Sequence, residues 1–152
     1  MANIKTVNSK SQPAARKILD ELLEKEALEL TFAKIDEFCS KKAPVDEGDS
    51  QSVSLMLFLE LRKNKMSRGW VWVRGIKKIT EEKSIFHSWL EYEGYVIDPL
   101  PAFVISGEKY VPGDIIIVKK EKYREVSGFK PMSLKSEKQV LRWIEKISGR
   151  YS

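Results

Sequence analysis

A chain of 152 residues with a formal net charge of +5, 42% hydrophobic and 32% charged residues, has the length of one domain and enough apolar residues to bury a core without covalent staples. Its single cysteine, Cys39, rules out an intramolecular disulfide; with the single histidine, His87, it cannot furnish the four ligands of a structural zinc site. The basic excess favours weak attraction to anionic partners, but Lys and Glu are mixed along most of the chain, so no basic face for nucleic acid is singled out.

The opening Met1-Ala2-Asn3-Ile4-Lys5 lacks the apolar stretch of a secretory signal, and no run of about 18 apolar residues occurs; a cytoplasmic protein without membrane association is expected. Residues 1–11 are polar and expected to form a flexible arm, leaving 12–152 as a single folded domain. Pro13 opens a helix whose Ile18, Leu19, Leu22 and Leu23 share a face. A second helix follows with Leu28, Phe32, Ile35, Phe38 and Cys39 on one face, and Lys41-Lys42-Ala43-Pro44 ends it. After an acidic loop at 45–49, residues 50–64 read as a helix that is apolar nearly all round and therefore buried, with Arg62 and Lys63 near its end to suit the dipole.

Beyond residue 69 the pattern turns β-like. Strands are expected at 70–73, 85–92, 95–97, 103–105 and 114–118, with Pro112-Gly113 as punctuation. The run Lys119-Lys120-Glu121-Lys122 with Tyr123-Arg124 could touch phosphates, but reads rather as a solvated strand edge, where Lys discourages aggregation. Ser136 is the expected N-cap of a closing helix with Val140, Leu141, Ile144 and Ile147 on its apolar stripe. Helices, then an antiparallel sheet, then a helix make an α+β class.

The chemistry-bearing stretch is Ile85 to Pro99. His87 lies in a β-type alternation, Glu93-Gly94 turns the chain, and Asp98 lies on the returning strand about as far from the turn as His87. Such a hairpin brings a base and its orienter together. Upstream, Ser50 begins the long apolar helix. A thiol placed there would have its pKa lowered by the helix N-terminus, and the same unpaired N–H groups could hold an oxyanion.

On these residues the chain resembles the transglutaminase-like superfamily of papain-like thiol enzymes. His87-Ser88-Trp89-Leu90-Glu91, then Gly94, then Val96-Ile97-Asp98-Pro99, is similar to its His-Ala-Trp-Val-Glu … Val-Asp-Pro segment. Gly48-Asp49-Ser50 leading into Leu55-Met56-Leu57-Phe58-Leu59-Glu60-Leu61-Arg62 is similar to its Gly-Asp-Cys helix, and Gly69-Trp70-Val71-Trp72-Val73 to the strand that follows. The resemblance spans roughly residues 45 to 101. It implies a papain-like/transglutaminase-like core in which N-terminal helices and a central buried helix pack on an antiparallel sheet. It also implies a Cys-His-Asp triad at position 50, His87 and Asp98, acting on protein or peptide amides by hydrolysis, deamidation or acyl transfer, with no metal and no organic cofactor.

Two features depart from that pattern. The His-to-Asp interval is shorter than in many members, so the hairpin must be tight. Position 50 is serine, a far weaker nucleophile than a thiolate. The chain is then an inactivated form of a thiol enzyme, a natural relative without catalysis, or a serine enzyme.

Asp49, Trp72 and Trp89 are candidates for substrate contact, core packing being the competing role of the two tryptophans. Ser50 is also a good helix cap, and Cys39, on an apolar helix face, reads as a small hydrophobe rather than a nucleophile. A non-catalytic protein- or peptide-binding module on the same fold is the second functional reading. A basic nucleic-acid-associated protein is the third.

Overall fold

The computed structural model describes residues 3–7, 12–24, 47–99 and 114–151. They form β1 (Asn3–Val7), α1 (Ala14–Glu24), α2 (Glu47–Lys63), β2 (Val71–Lys78), β3 (Ser84–Tyr92), β4 (Tyr95–Asp98), β5 (Asp114–Lys119), α3 (Lys120–Ser127), β6 (Lys130–Lys135) and α4 (Glu137–Tyr151). The class is α+β, as the sequence implies. The strands form one six-stranded sheet in the order β1-β5-β4-β3-β2-β6. The helix expected around Phe32 to Cys39 and the strand expected at 103–105 lie outside the described residues.

The sheet is mixed rather than antiparallel throughout. β1 pairs with β5 in parallel, Ile4 opposite Ile115 and Val7 opposite Val118, and every other pairing is antiparallel. Part of the expected flexible arm is thus a strand. Its polar Asn3 and Lys5 hide the pattern, and its place is set by the β5 backbone and by Arg16, whose Nη1 donates to the Ile4 carbonyl at 2.6 Å. Such backbone and tertiary terms override weak strand propensity.

Alternation along the strands sorts side chains into two cores. Trp72, Leu90, Ile97, Ile115 and Ile117 meet Leu19 and Leu22 of α1, Val53, Leu57, Phe58 and Leu61 of α2 and Val140 of α4. Their neighbours Val73, Trp89, Val96, Ile116 and Val118 meet Tyr123 of α3 and Phe129. Burial on both faces explains the unbroken Ile115-Ile116-Ile117-Val118 run.

Helix ends follow local chemistry. α2 stops where Met66 N–H bonds the Leu61 carbonyl and Lys65 N–H the Arg62 carbonyl, with Lys65 at φ 58°, a Schellman closure with lysine at the usual glycine position. At the start of α4, Ser136 Oγ accepts from Gln139 N–H and Gln139 Oε1 accepts from Ser136 N–H, a capping box. The charged run expected as a strand edge is instead helix α3. Its Lys, Glu and Arg are good helix formers, Tyr123 and Ser127 are buried one turn apart, and Gly128 closes it at φ 77°. Among the described residues no helix is long and apolar enough to cross a membrane.

β2 carries one position that admits no side chain. A Cβ on Gly75 would lie 2.2 Å from Trp89 Cη2 and 2.4 Å from Trp89 Cζ3, because the indole lies across that backbone. Gly75→Ala is expected to lower stability by about 3 kcal/mol, the upper range for overpacking, read from urea unfolding. A loss near zero would mean that Trp89 is not seated over β2.

Candidate active site

The hairpin β3–β4 is tight, as the short His-to-Asp interval requires. Glu93 and Gly94 both take positive φ, 52° and 82°, the geometry of a two-residue type I′ turn. Tyr92 pairs with Tyr95, and Leu90 with Ile97. His87, Trp89 and Glu91 alternate onto the sheet face that α3 covers.

His87 and Asp98 meet there. His87 Nε2 lies 2.8 Å from Asp98 Oδ2, and both residues are fully buried. The same carboxylate oxygen accepts the Tyr123 hydroxyl at 2.7 Å. A carboxylate has no proton to give, so the hydrogen bond assigns the imidazole proton to Nε2 and leaves Nδ1 as the basic nitrogen. The imidazole is flanked by Phe129 and Trp89, with ring centroids 5.6 Å and 6.3 Å away.

The role of Tyr123, expected on a solvated basic run, is what sequence reasoning missed. Burial, reinforced by the Asp98 carboxylate and its hydrogen bond, and then by Glu91, pushes its hydroxyl well above the usual tyrosine range; it stays protonated and donates. Only its aromatic character within a charged run hinted at a buried role. Glu91 is the second addition. Its Oε2 accepts from Trp89 Nε1 at 3.1 Å, and its Oε1 lies 2.9 Å from Lys120 Nζ on α3. This half-buried ion pair and the Tyr123–Asp98 bond fasten α3 over the hairpin. The alternation of His87, Trp89 and Glu91 was the available signal for it.

Ser50 reaches the same strand from the other side of the sheet. Its Oγ accepts from Ser88 N–H at 3.1 Å. In a two-residue hairpin the Tyr92 and Leu90 N–H groups face β4, and so does that of Ser88. β4 ends at Asp98, before Pro99, so the hydroxyl takes the place that a continued strand would fill. Residue 50 is thereby seated on the backbone of His87's immediate neighbour.

One expectation is corrected here. α2 begins at Glu47, so Ser50 closes the first turn rather than capping the helix.

The substrate-contact candidates separate. Trp89 is a core residue, packed against Tyr123 and Phe129 at 5.0 Å and 6.2 Å between ring centroids, and forms no groove wall. Trp72 donates its indole N–H to Ser54 Oγ at 2.9 Å and borders a cavity. Asp49 lies in the first turn of α2, and its side chain is outside the described residues, as is Cys39. Comparison with protein-family models, with curated proteins and with solved structures finds no match.

Tyr123→Phe is expected to cost about 2 kcal/mol at neutral pH, the worth of a hydrogen bond to a charged acceptor. Because folding raises the Tyr123 pKa, its contribution is fully present below the usual tyrosine range. It is lost as pH rises through the raised value, since the unfolded chain releases the proton first. The stability gap between parent and variant therefore narrows above about pH 10. Urea unfolding at a series of pH values checks both points; a gap constant to the alkaline limit contradicts the assignment.

Proposed function

We propose that this chain carries the scaffold of a transglutaminase-like acyl-transfer enzyme, with residue 50 at the nucleophile position, His87 as base and Asp98 as its orienter. The observation that carries the reading is the buried His87 Nε2–Asp98 Oδ2 hydrogen bond of 2.8 Å, which leaves the other ring nitrogen as the proton acceptor. The seating of residue 50 on the Ser88 N–H supports it.

With a thiol at position 50, the sulfur adds to the carbonyl carbon of a protein or peptide amide. With the residue-50 side chain at sheet level in the gap where β4 stops, Nδ1 takes the thiol proton through that gap and returns it to the leaving amine, and water or a second amine then releases the acyl group. Asp98 holds the imidazole tautomer throughout, and Tyr123 holds Asp98. The serine present here lacks the acidity of a thiol, and the chain as it stands is silent in this chemistry.

A specific observation favours the second reading, a non-catalytic protein-binding module. Ser50, His87 and Asp98 are all fully buried, and the Ser50 hydroxyl serves as an acceptor for a strand N–H, which is a structural task.

Alkylation of Ser50→Cys with iodoacetamide at neutral pH, mapped by mass spectrometry, separates the two. Labelling at residue 50 that outpaces labelling at Cys39 and falls at least about tenfold in Ser50→Cys/His87→Ala supports the enzyme scaffold. Labelling at residue 50 that ignores His87 removes that reading and leaves the binding module.

A further inference from the structure

Between α2, β2, β6 and the start of α4 lies a cavity of about 480 Å³, within the size range of small-molecule sites. Leu55, Trp72 and Val140 supply its apolar wall, while Arg74 and Lys135 bring two cationic side chains. Among the described residues no acidic side chain borders it.

The polar wall sets Gln51, Ser133 and Gln139, which can turn a donor toward a ligand, beside the two cations. The Arg74 guanidinium carbon stacks 4.4 Å above the Phe86 ring, which fixes the orientation of its planar fork. Gln139, also in the wall, spends its Oε1 on Ser136 N–H, so its NH2 group is the part left for a ligand. Trp72 is held by its bond to Ser54.

Two cationic side chains with no acidic neighbour among the described lining residues, beside an apolar surface, select an anionic acceptor joined to an apolar body. A planar guanidinium fork matches a carboxylate in shape. We infer that this cavity is a binding site for a carboxylate carried on an apolar body, the chemistry shared by a peptide C-terminus ending in a large apolar residue and by a medium-chain fatty acid. Trp72 belongs to the sheet face opposite Trp89 and the His87 ring; Gln51, the neighbour of Ser50 on α2, lines the cavity as well, and binding here involves no bond-making at residue 50.

The test follows the Trp72 indole N–H by ¹⁵N NMR, its signal assigned with Trp72→Phe. The full chain is titrated with N-acetyl-Leu-Phe, with the C-terminal amide of that dipeptide, and with octanoate. A saturable shift of the Trp72 signal is expected with a carboxylate probe, with the amide at least about tenfold weaker and Arg74→Gln/Lys135→Gln losing a similar factor for the carboxylate.

A response to the dipeptide alone assigns the site to peptide ends, and a response to octanoate alone assigns it to fatty acids. The inference is overturned if no carboxylate moves the Trp72 signal, if acid and amide bind alike, or if the double variant binds the acid as the parent does. Should the double variant fail to fold, the acid-against-amide comparison on the parent chain decides alone.

Discussion

One carboxylate oxygen organises this molecule. Asp98 Oδ2 takes hydrogen bonds from His87 Nε2 and from the Tyr123 hydroxyl, with all three residues fully buried. Burying a carboxylate is costly unless its acceptors are used. Each bond to a charged acceptor contributes roughly 1.5–3 kcal/mol, against a total stability of about 5–15 kcal/mol for a domain. The hairpin β3–β4 must therefore set Asp98 beside His87, and α3 must bring Tyr123 down onto it. The Glu91–Lys120 pair closes the same helix over the same strand, and Gly75 leaves room for the Trp89 indole that completes the apolar surround.

The sheet divides the labour. Its α3 face holds His87 and Asp98 in a buried, aromatic setting, while its other face carries α2, the residue-50 position and the cavity beside Trp72. The two faces meet where β4 stops before Pro99, because there a strand N–H is left for a side chain to take. Ser50 takes it. That ending is why a helix on one face can deliver residue 50 to the strand whose His87 side chain lies on the other.

The hairpin was legible because its signals are local. His87, Trp89 and Glu91 alternate, Glu93-Gly94 turns, and Pro99 halts the strand, so the pairing of His87 with Asp98 follows from short-range geometry. α1, α2 and α4 were legible from their apolar spacing and, for α4, from the Ser136 cap. Tyr123 was not, because the charges on either side dominate the run and its burial depends on where α3 lands. β1 and β6 were hidden for a related reason. Each is an edge strand with polar or Pro-interrupted sequence, Asn3 and Lys5 in one and Pro131 in the other, and its pairing comes from a neighbouring backbone rather than from its own pattern. The seating of Ser50 depends on the length of a strand distant in sequence, which no local signal encodes.

The proposed chemistry rests on the protonation pattern of a single ring, and the chain has one histidine, so one resonance pair reports it. The decisive measurement is the ¹⁵N NMR spectrum of the labelled His87 imidazole in the parent chain and in Asp98→Asn. The expected result for the parent is an Nε2-bound proton protected from exchange and an unprotonated Nδ1, with that tautomer lost in Asp98→Asn. A proton on Nδ1 in the parent, or averaging between the two nitrogens as in free imidazole, would show that Asp98 does not orient the ring, and the acyl-transfer reading would fall with it.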